Sequence, residues 1–152
     1  MVPVDPVNSL QEARARTAWA VEDGSFTLIG FAERPDGEDF RSLESPPAQL
    51  VRERDETTLL VRDVDAAAVL ARHPGARSVP DLAWIRFELA MGWDVVGFLA
   101  LVSGELARAG VPIGAVCGFH RDHVFVARAH LATASATLDR LFPKSDSSAR
   151  AG

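Results

Sequence analysis

The sequence has few or none of several residue types that particular chemistries require. The 152-residue chain contains no tyrosine, one cysteine (Cys117) and one lysine, Lys144, which lies in a polar C-terminal stretch. A single cysteine allows no internal disulfide, and it allows no metal site built from cysteines alone within one chain. The position of the lone lysine argues against a Schiff-base lysine and against a phosphate-binding P-loop lysine.

The sequence also has no long apolar run and no excess of positive charge. Its longest apolar run, residues 95–102, is far shorter than the roughly 18 residues expected of a membrane span. The N-terminal residues lack the charged start and the apolar segment of a signal peptide. The net charge of −5 argues against a nucleic-acid partner, which would call for a basic stripe. With 47% hydrophobic residues, we expect a folded cytoplasmic protein with no membrane partner.

The first half of the sequence predicts short elements separated by a long loop. Ser9 can begin a helix that reaches about residue 20, because Glu12 completes a capping-box pattern with it. An almost continuous apolar run predicts a strand over 26–32, and a short segment rich in β-branched residues predicts a second strand over 57–62. Asp63 or Asp65 can cap a following helix over 66–72. The stretch 33–47 is rich in proline, glycine and acidic residues, so it predicts a solvated surface loop.

The second half predicts the order strand, helix, strand, strand, helix. Its strands are expected over 82–89, 111–118 and 122–126, and its last helix over 127–141. The first helix is expected to begin at an Asp94 cap and to end at Gly110, where glycine enters the left-handed region freely. This order is that of a ferredoxin-like unit without its last strand, so a strand of the first half must supply it.

The stretch Leu89 to Gly118 resembles the ACT domain. An apolar strand is followed by Asp94-Val95-Val96-Gly97, by a helix that stops at Gly110, and by a second apolar strand. The hairpin over 118–126 is similar to that of a small family of tandem ACT proteins, to which the eukaryotic cytosolic arginine sensors are related. The resemblance extends over residues 26–142. It implies an α+β, ferredoxin-like protein of two tandem ACT-like units with antiparallel sheets and strand exchange between them.

The same resemblance suggests how the chain is divided. An N-terminal ACT-like half is expected over residues 1–80 and a C-terminal ACT domain over 81–143. The Ser-rich tail, residues 144–152, is expected to be disordered.

The Asp94-x-x-Gly97 corner is the candidate ligand site. Unpartnered N–H groups at a helix start favour an anion such as an amino-acid carboxylate, and a glycine without a Cβ allows close approach. In ACT domains effectors bind at this corner, against the second strand of a neighbouring domain. The resemblance therefore implies these ligand-binding residues: Asp94, Val95, Val96, Gly97, Ile113, Gly114, Ala115, Val116 and His123. The alternative is that the corner serves only capping and packing.

Polar residues of the hairpin offer a second candidate site. His120, Asp122 and His123 could suggest a metal centre or a catalytic pair. Adjacent strand residues point to opposite faces, however, so Asp122 and His123 are not expected to converge. We expect these residues to stabilise the hairpin, with ligand contact as the alternative. Cys117 is expected to be a small buried side chain.

The resemblance to ACT domains implies a non-catalytic regulatory protein, and we expect it to need no cofactor and no metal. Its expected partner is a small molecule, such as an amino acid, bound between halves or between the subunits of a homodimer. Two alternatives remain open. One is a protein–protein interaction module without a ligand, and the other is a small enzyme that uses His123 and Asp122.

Overall fold

A computed structural model describes residues 5–142 of the chain. In chain order the elements are α1 (Leu10–Arg16), β1 (Trp19–Val21), β2 (Phe26–Phe31), α2 (Gly37–Arg41), β3 (Gln49–Arg52), β4 (Thr57–Arg62), α3 (Asp63–Arg72), β5 (Arg77–Phe87), α4 (Phe98–Arg108), β6 (Gly114–Cys117), β7 (Asp122–Ala127) and α5 (Leu131–Leu141). Short 3-10 turns follow α2 at Ser42–Glu44 and precede α5 at Arg128–His130.

The chain divides into two α+β units, and the division does not follow a single cut in the sequence. One unit is Asp23–Ala83, and the other joins the residues up to Glu22 with those from Trp84 onwards. The second unit is discontinuous because β1 pairs with the end of β5. The long strand β5 therefore gives its first residues to one unit and its last residues to the other.

The unit Asp23–Ala83 has the order β-α-β-β-α-β of a ferredoxin-like fold. Its strands lie in the order β3-β4-β2-β5, and each neighbouring pair is antiparallel. Alternating residues of the two central strands place Ile29, Phe31, Leu59 and Val61 in one core, where Val69 of α3 packs against them.

The discontinuous unit has the predicted order strand, helix, strand, strand, helix, and β1 is the missing fourth strand. Its strands lie in the order β1-β5-β7-β6. Trp19 pairs with Phe87, and both side chains are buried. The rings of Phe87, Phe98 and Phe142 then pack within 5.9 Å of one another in the core. The prediction of a ferredoxin-like, antiparallel α+β fold with an exchanged strand is confirmed.

Two predictions for the first half are wrong. The first helix ends at Arg16 rather than near residue 20, because Thr17 is already extended and β1 pairs with β5. The stretch 33–47 contains α2, and a capping box between Asp36 and Asp39 begins that helix. Asp39 is fully buried, although we expected its acidic run to be solvated. Its carboxylate accepts hydrogen bonds from Arg72 at 2.5 Å and from His73 at 3.0 Å.

Two further findings concern the edge strands. Strand β3 was not predicted, since its four residues are half-buried or exposed and give little periodic signal. Cys117 is exposed rather than buried, because β6 is the last strand in the sheet order.

Within residues 5–142, no helix combines the length and the apolar character that crossing a membrane would require. The predicted disordered tail, residues 144–152, lies outside the described residues.

Candidate functional site

The first part of the loop that joins β5 to α4 is held on two sides by backbone hydrogen bonds. The N–H of Met91 donates to the carbonyl of His120 at 2.8 Å, which ties the loop to the turn between β6 and β7. On the other side, Val7 donates to Ala90 at 3.0 Å and accepts from Gly92 at 2.9 Å. Residues 90–92 of the loop are therefore fixed between the N-terminal segment and the hairpin.

Helix α4 begins later than the sequence pattern indicates. Its N-cap residue is Gly97, which has φ +95° and no side-chain cap, and Asp94 is exposed three residues earlier. The prediction that Asp94 caps this helix is wrong. The chain turns into α4 at Gly97, whose backbone is left-handed. Glycine adopts that conformation without steric cost.

A cleft of about 320 Å³ opens between this loop and the hairpin turn, and we call it the corner cleft. Its walls come from the loop, the first turn of α4 and the hairpin: Met91, Gly92, Trp93, Val95, Gly97, Phe98, Leu99, Ala100, Cys117, Gly118, Phe119, His120, Arg121 and Asp122.

The corner cleft has apolar walls and one polar side. Trp93 is 94% exposed and Phe119 is 81% exposed, so two large aromatic side chains at its rim lack a covering surface. The polar side is formed by His120, Arg121 and Asp122. Although Cys117 is exposed, partial loss of hydration around its thiol, together with the hydrogen bond and the charge of Asp122, raises the pKa of that thiol. Cys117 is therefore a neutral thiol at neutral pH.

A second cleft of about 520 Å³ adjoins the same hairpin turn and shares Gly118, Phe119, His120 and Arg121 with the corner cleft; we call it the polar cleft. It is lined by Arg86, Glu88, Gly118, Phe119, His120, Arg121 and His123. Arg86 bonds Glu88 from its Nε at 2.8 Å and lies 3.1 Å from Glu22, so its charge is already balanced by carboxylates.

His123 is a neutral imidazole in the polar cleft. Burial, followed by the positive charge of Arg86, lowers its pKa. Its ring packs edge-on against Trp84, with 5.7 Å between ring centroids. Its Nδ1 is buried and has no hydrogen-bond partner among residues 5–142.

The structure brings together only some of the residues predicted for the ligand site. Val95 and Gly97 line the corner cleft, whereas His123 lines the polar cleft. Asp94 and Val96 are exposed and belong to neither lining. Ile113, Gly114, Ala115 and Val116 also lie outside both linings.

Gly114 has a packing role that the sequence did not reveal. A Cβ at Gly114 would lie only 1.9 Å from Cζ of Phe125, its partner across the two strands. The aromatic ring therefore occupies the space that any larger residue would need.

Sequence reasoning did not include Trp93 or Phe119 among the ligand-binding residues, although both line the corner cleft. Trp93 and Phe119 each follow a glycine in a tight turn, at Gly92-Trp93 and Gly118-Phe119. A large aromatic residue at such a turn has little chance of burial, so this pairing is a signal that could have identified them. In residues 5–142 we find no group of three or more histidine, cysteine or acidic side chains placed to hold a metal ion.

The fold and the cleft define a class of protein. Its members consist of two tandem ferredoxin-like units, and here a cleft lies at the start of helix α4. Residues 77–140 match a family model described as the ACT domain. This segment is therefore similar to the ACT domain, as the sequence resemblance implied.

Solved structures share this fold at low sequence identity. A protein from Agrobacterium tumefaciens is 18% identical, with a TM-score of 0.69 over 83% of this chain and 89% of its own. A Vibrio cholerae protein of unknown function, titled a possible transport protein, is 20% identical, with a TM-score of 0.63 over 85% and 91%. The ligand-free regulatory subunit of aspartate kinase from Thermus thermophilus is 16% identical, with a TM-score of 0.57 over 82% and 96%. No curated protein matches the sequence.

Proposed function

We propose that this protein is a non-catalytic regulatory protein of ACT type that binds an amino acid in the corner cleft. The observation that carries the proposal is the position of the cleft. It lies wholly within the matched ACT segment, between the loop that precedes α4 and the turn that joins β6 to β7. The proposal includes a cytoplasmic location and keeps a homodimer as the candidate assembly.

The size of the cleft supports a small ligand. Its volume of about 320 Å³ is at the low end of the roughly 300–1,000 Å³ that ligand pockets span. An amino acid suits this volume, whereas a dinucleotide does not. The regulatory subunit from Thermus thermophilus, with the same fold, also supports a regulatory role.

The arrangement of the hairpin residues argues against the enzyme alternative. Asp122 lines the corner cleft and His123 lines the polar cleft, so the two side chains do not face one site. A general acid–base pair must lie within hydrogen-bond reach of the same substrate. The ring of His123 also packs edge-on against Trp84, which is a packing environment.

Thermal unfolding of the full chain with each L-amino acid tests the proposal. A ligand at 100 times its Kd stabilises the folded state by roughly 2.7 kcal/mol, which is a readily measured rise in Tm. Val95→Arg places a long side chain in the cleft and should abolish the rise. Val64→Arg, at a position 84% exposed on α3, is the matched control and should keep it.

The exposed aromatic rim favours one competing function, an interaction module without a small ligand. Trp93 and Phe119 could be covered by a partner protein instead. A flat thermal response to amino acids and common metabolites would favour this alternative. A response that survives Val95→Arg would place the ligand outside the corner cleft.

A further inference from the structure

We infer that the corner cleft selects an amino acid with an apolar side chain, and that Arg121 and Asp122 bind the α-carboxylate and the α-ammonium of the ligand. This inference rests on the proposed function and adds the chemical class of the ligand. It comes from how charge is distributed over the walls of the cleft.

The formal charges of the lining lie at one place. Arg121 immediately precedes β7 and Asp122 is the first residue of that strand, and the two carry opposite charges. An amino acid presents the complementary pair on neighbouring atoms, since its carboxylate and ammonium are both attached at Cα. Two adjacent protein charges of opposite sign therefore match the head of a zwitterion and leave neither ligand charge unpaired.

Both side chains retain capacity for a ligand. The Nε of Arg121 is buried and has no hydrogen-bond partner among residues 5–142. A guanidinium carries five N–H donors, so Arg121 can bind a carboxylate through donors other than the buried Nε. Asp122 receives a hydrogen bond from the thiol of Cys117, but a carboxylate offers several further acceptor sites.

The rest of the lining is apolar where a ligand side chain would lie. Met91, Val95 and Leu99 form this part together with the rings of Trp93 and Phe119. His120 leaves this part of the lining apolar. Its backbone carbonyl already accepts a hydrogen bond from the N–H of Met91, and its ring packs edge-on against Phe119. A second charge on the ligand would lie among these groups without a partner. The cleft should therefore reject aspartate and lysine while accepting leucine, methionine and phenylalanine.

The polar cleft offers no partner for a charged ligand side chain. Its Arg86 is bonded to Glu88 and lies 3.1 Å from Glu22, so it has no free charge to offer an acidic side chain. Its histidine, His123, is uncharged because burial lowers its pKa.

Calorimetric titration of the full chain separates the two halves of this inference. Ligands are L-leucine, L-methionine and L-phenylalanine, compared with L-aspartate and L-lysine. Leucine is also compared with 4-methylpentanoate, which lacks the ammonium, and with 3-methylbutylamine, which lacks the carboxylate. We expect the apolar amino acids to bind at least about tenfold more tightly than the charged ones and than either truncated compound.

Two substitutions assign the roles of the charged residues. Arg121→Gln should weaken L-leucine about tenfold or more but leave 3-methylbutylamine unchanged, because that compound has no carboxylate. Asp122→Asn should weaken L-leucine similarly and leave 4-methylpentanoate unchanged. Arg108→Gln on the exposed side of α4 and Asp55→Asn in the β3–β4 turn are controls that should bind L-leucine as the parent does.

The outcomes distinguish this inference from the function on which it rests. Tightest binding of a charged amino acid overturns the selectivity and leaves the proposed function intact. Unchanged L-leucine affinity in both folded variants overturns the roles of Arg121 and Asp122. Absence of binding by every amino acid overturns the inference together with the proposed function. If a variant does not fold, the ligand series on the parent protein still decides the selectivity.

Discussion

Substitution of Gly97 tests the account of the loop that forms the corner cleft. Gly97 has φ +95°, and a Cβ there would lie 3.3 Å from Cδ2 of Leu10. A non-glycine residue in the left-handed region costs roughly 1–2 kcal/mol. Alanine recovers about 0.4–1 kcal/mol by restricting the unfolded chain. The expected net loss for Gly97→Ala is therefore about 1 kcal/mol of unfolding free energy, and Gly97→Leu should lose more.

Gly104 provides a matched control within the same helix. A Cβ at Gly104 would meet only the end of the Arg108 side chain, at 3.9 Å, and the residue lies inside α4. Gly104→Ala should therefore stabilise the protein by about 0.5–1 kcal/mol. Each kcal/mol corresponds to roughly 2–4 °C in Tm for a chain of this size, so urea and thermal unfolding separate the two variants.

Asparagine at position 97 tests the backbone conformation itself. Asparagine enters the left-handed region more readily than alanine does, so Gly97→Asn should lose less stability than Gly97→Ala. A Gly97→Ala protein as stable as the parent would show that the left-handed turn into α4 is not required. The reasoning about the loop would then be refuted.

Three further predictions follow from other parts of the structure. Burial alone would raise the pKa of Asp39, but the hydrogen bonds that its carboxylate accepts from Asp36, Arg72 and His73 outweigh burial and lower the pKa. The ionised carboxylate therefore stabilises the fold at neutral pH, and this stabilisation is lost as the pH falls below about 4. Asp39→Asn should cost about 3 kcal/mol at pH 7 and flatten this acid dependence, measured by urea unfolding at several pH values. A fragment of residues 80–152 lacks β1 and should show no cooperative unfolding by circular dichroism, and a soluble, cooperative fragment would contradict this. Asp94→Ala should change the unfolding free energy by less than about 0.5 kcal/mol, since Gly97 holds the N-cap position, and a larger loss would restore a structural role for Asp94.

In the discontinuous unit, the elements that depend on local sequence patterns could be predicted. The buried positions Phe98, Val102 and Leu106 repeat at helical spacing, and Gly110 has the positive φ expected of a helix stop. These features depend only on residues a few positions apart, so the sequence pattern was sufficient to find them.

Elements that depend on distant partners were not predictable. Trp19–Val21 continues the preceding helical pattern, and its three residues become a strand only because the end of β5 lies beside them. Asp39 is hidden in an acidic run, and its burial depends on Arg72 and His73, which come from α3 and the residue after it. In both cases a tertiary contact overrides the preference of the local sequence.

The candidate site was found in the right region but with the wrong residues. The D-x-x-G pattern located the loop, and two of its members, Val95 and Gly97, line the corner cleft. The other walls come from the hairpin turn, which approaches the loop through the hydrogen bond between Met91 and His120. No spacing within the sequence encodes that long-range approach.

The most direct test of the central claim is a tryptophan fluorescence titration with L-leucine. Trp19 and Trp84 are buried, whereas Trp93 is 94% exposed and lines the corner cleft. If the cleft binds the ligand, emission should shift to shorter wavelength in a saturable way, and Trp93→Phe should remove the shift while calorimetry still detects binding. Calorimetric binding of L-leucine without any change in Trp93 emission would contradict the account.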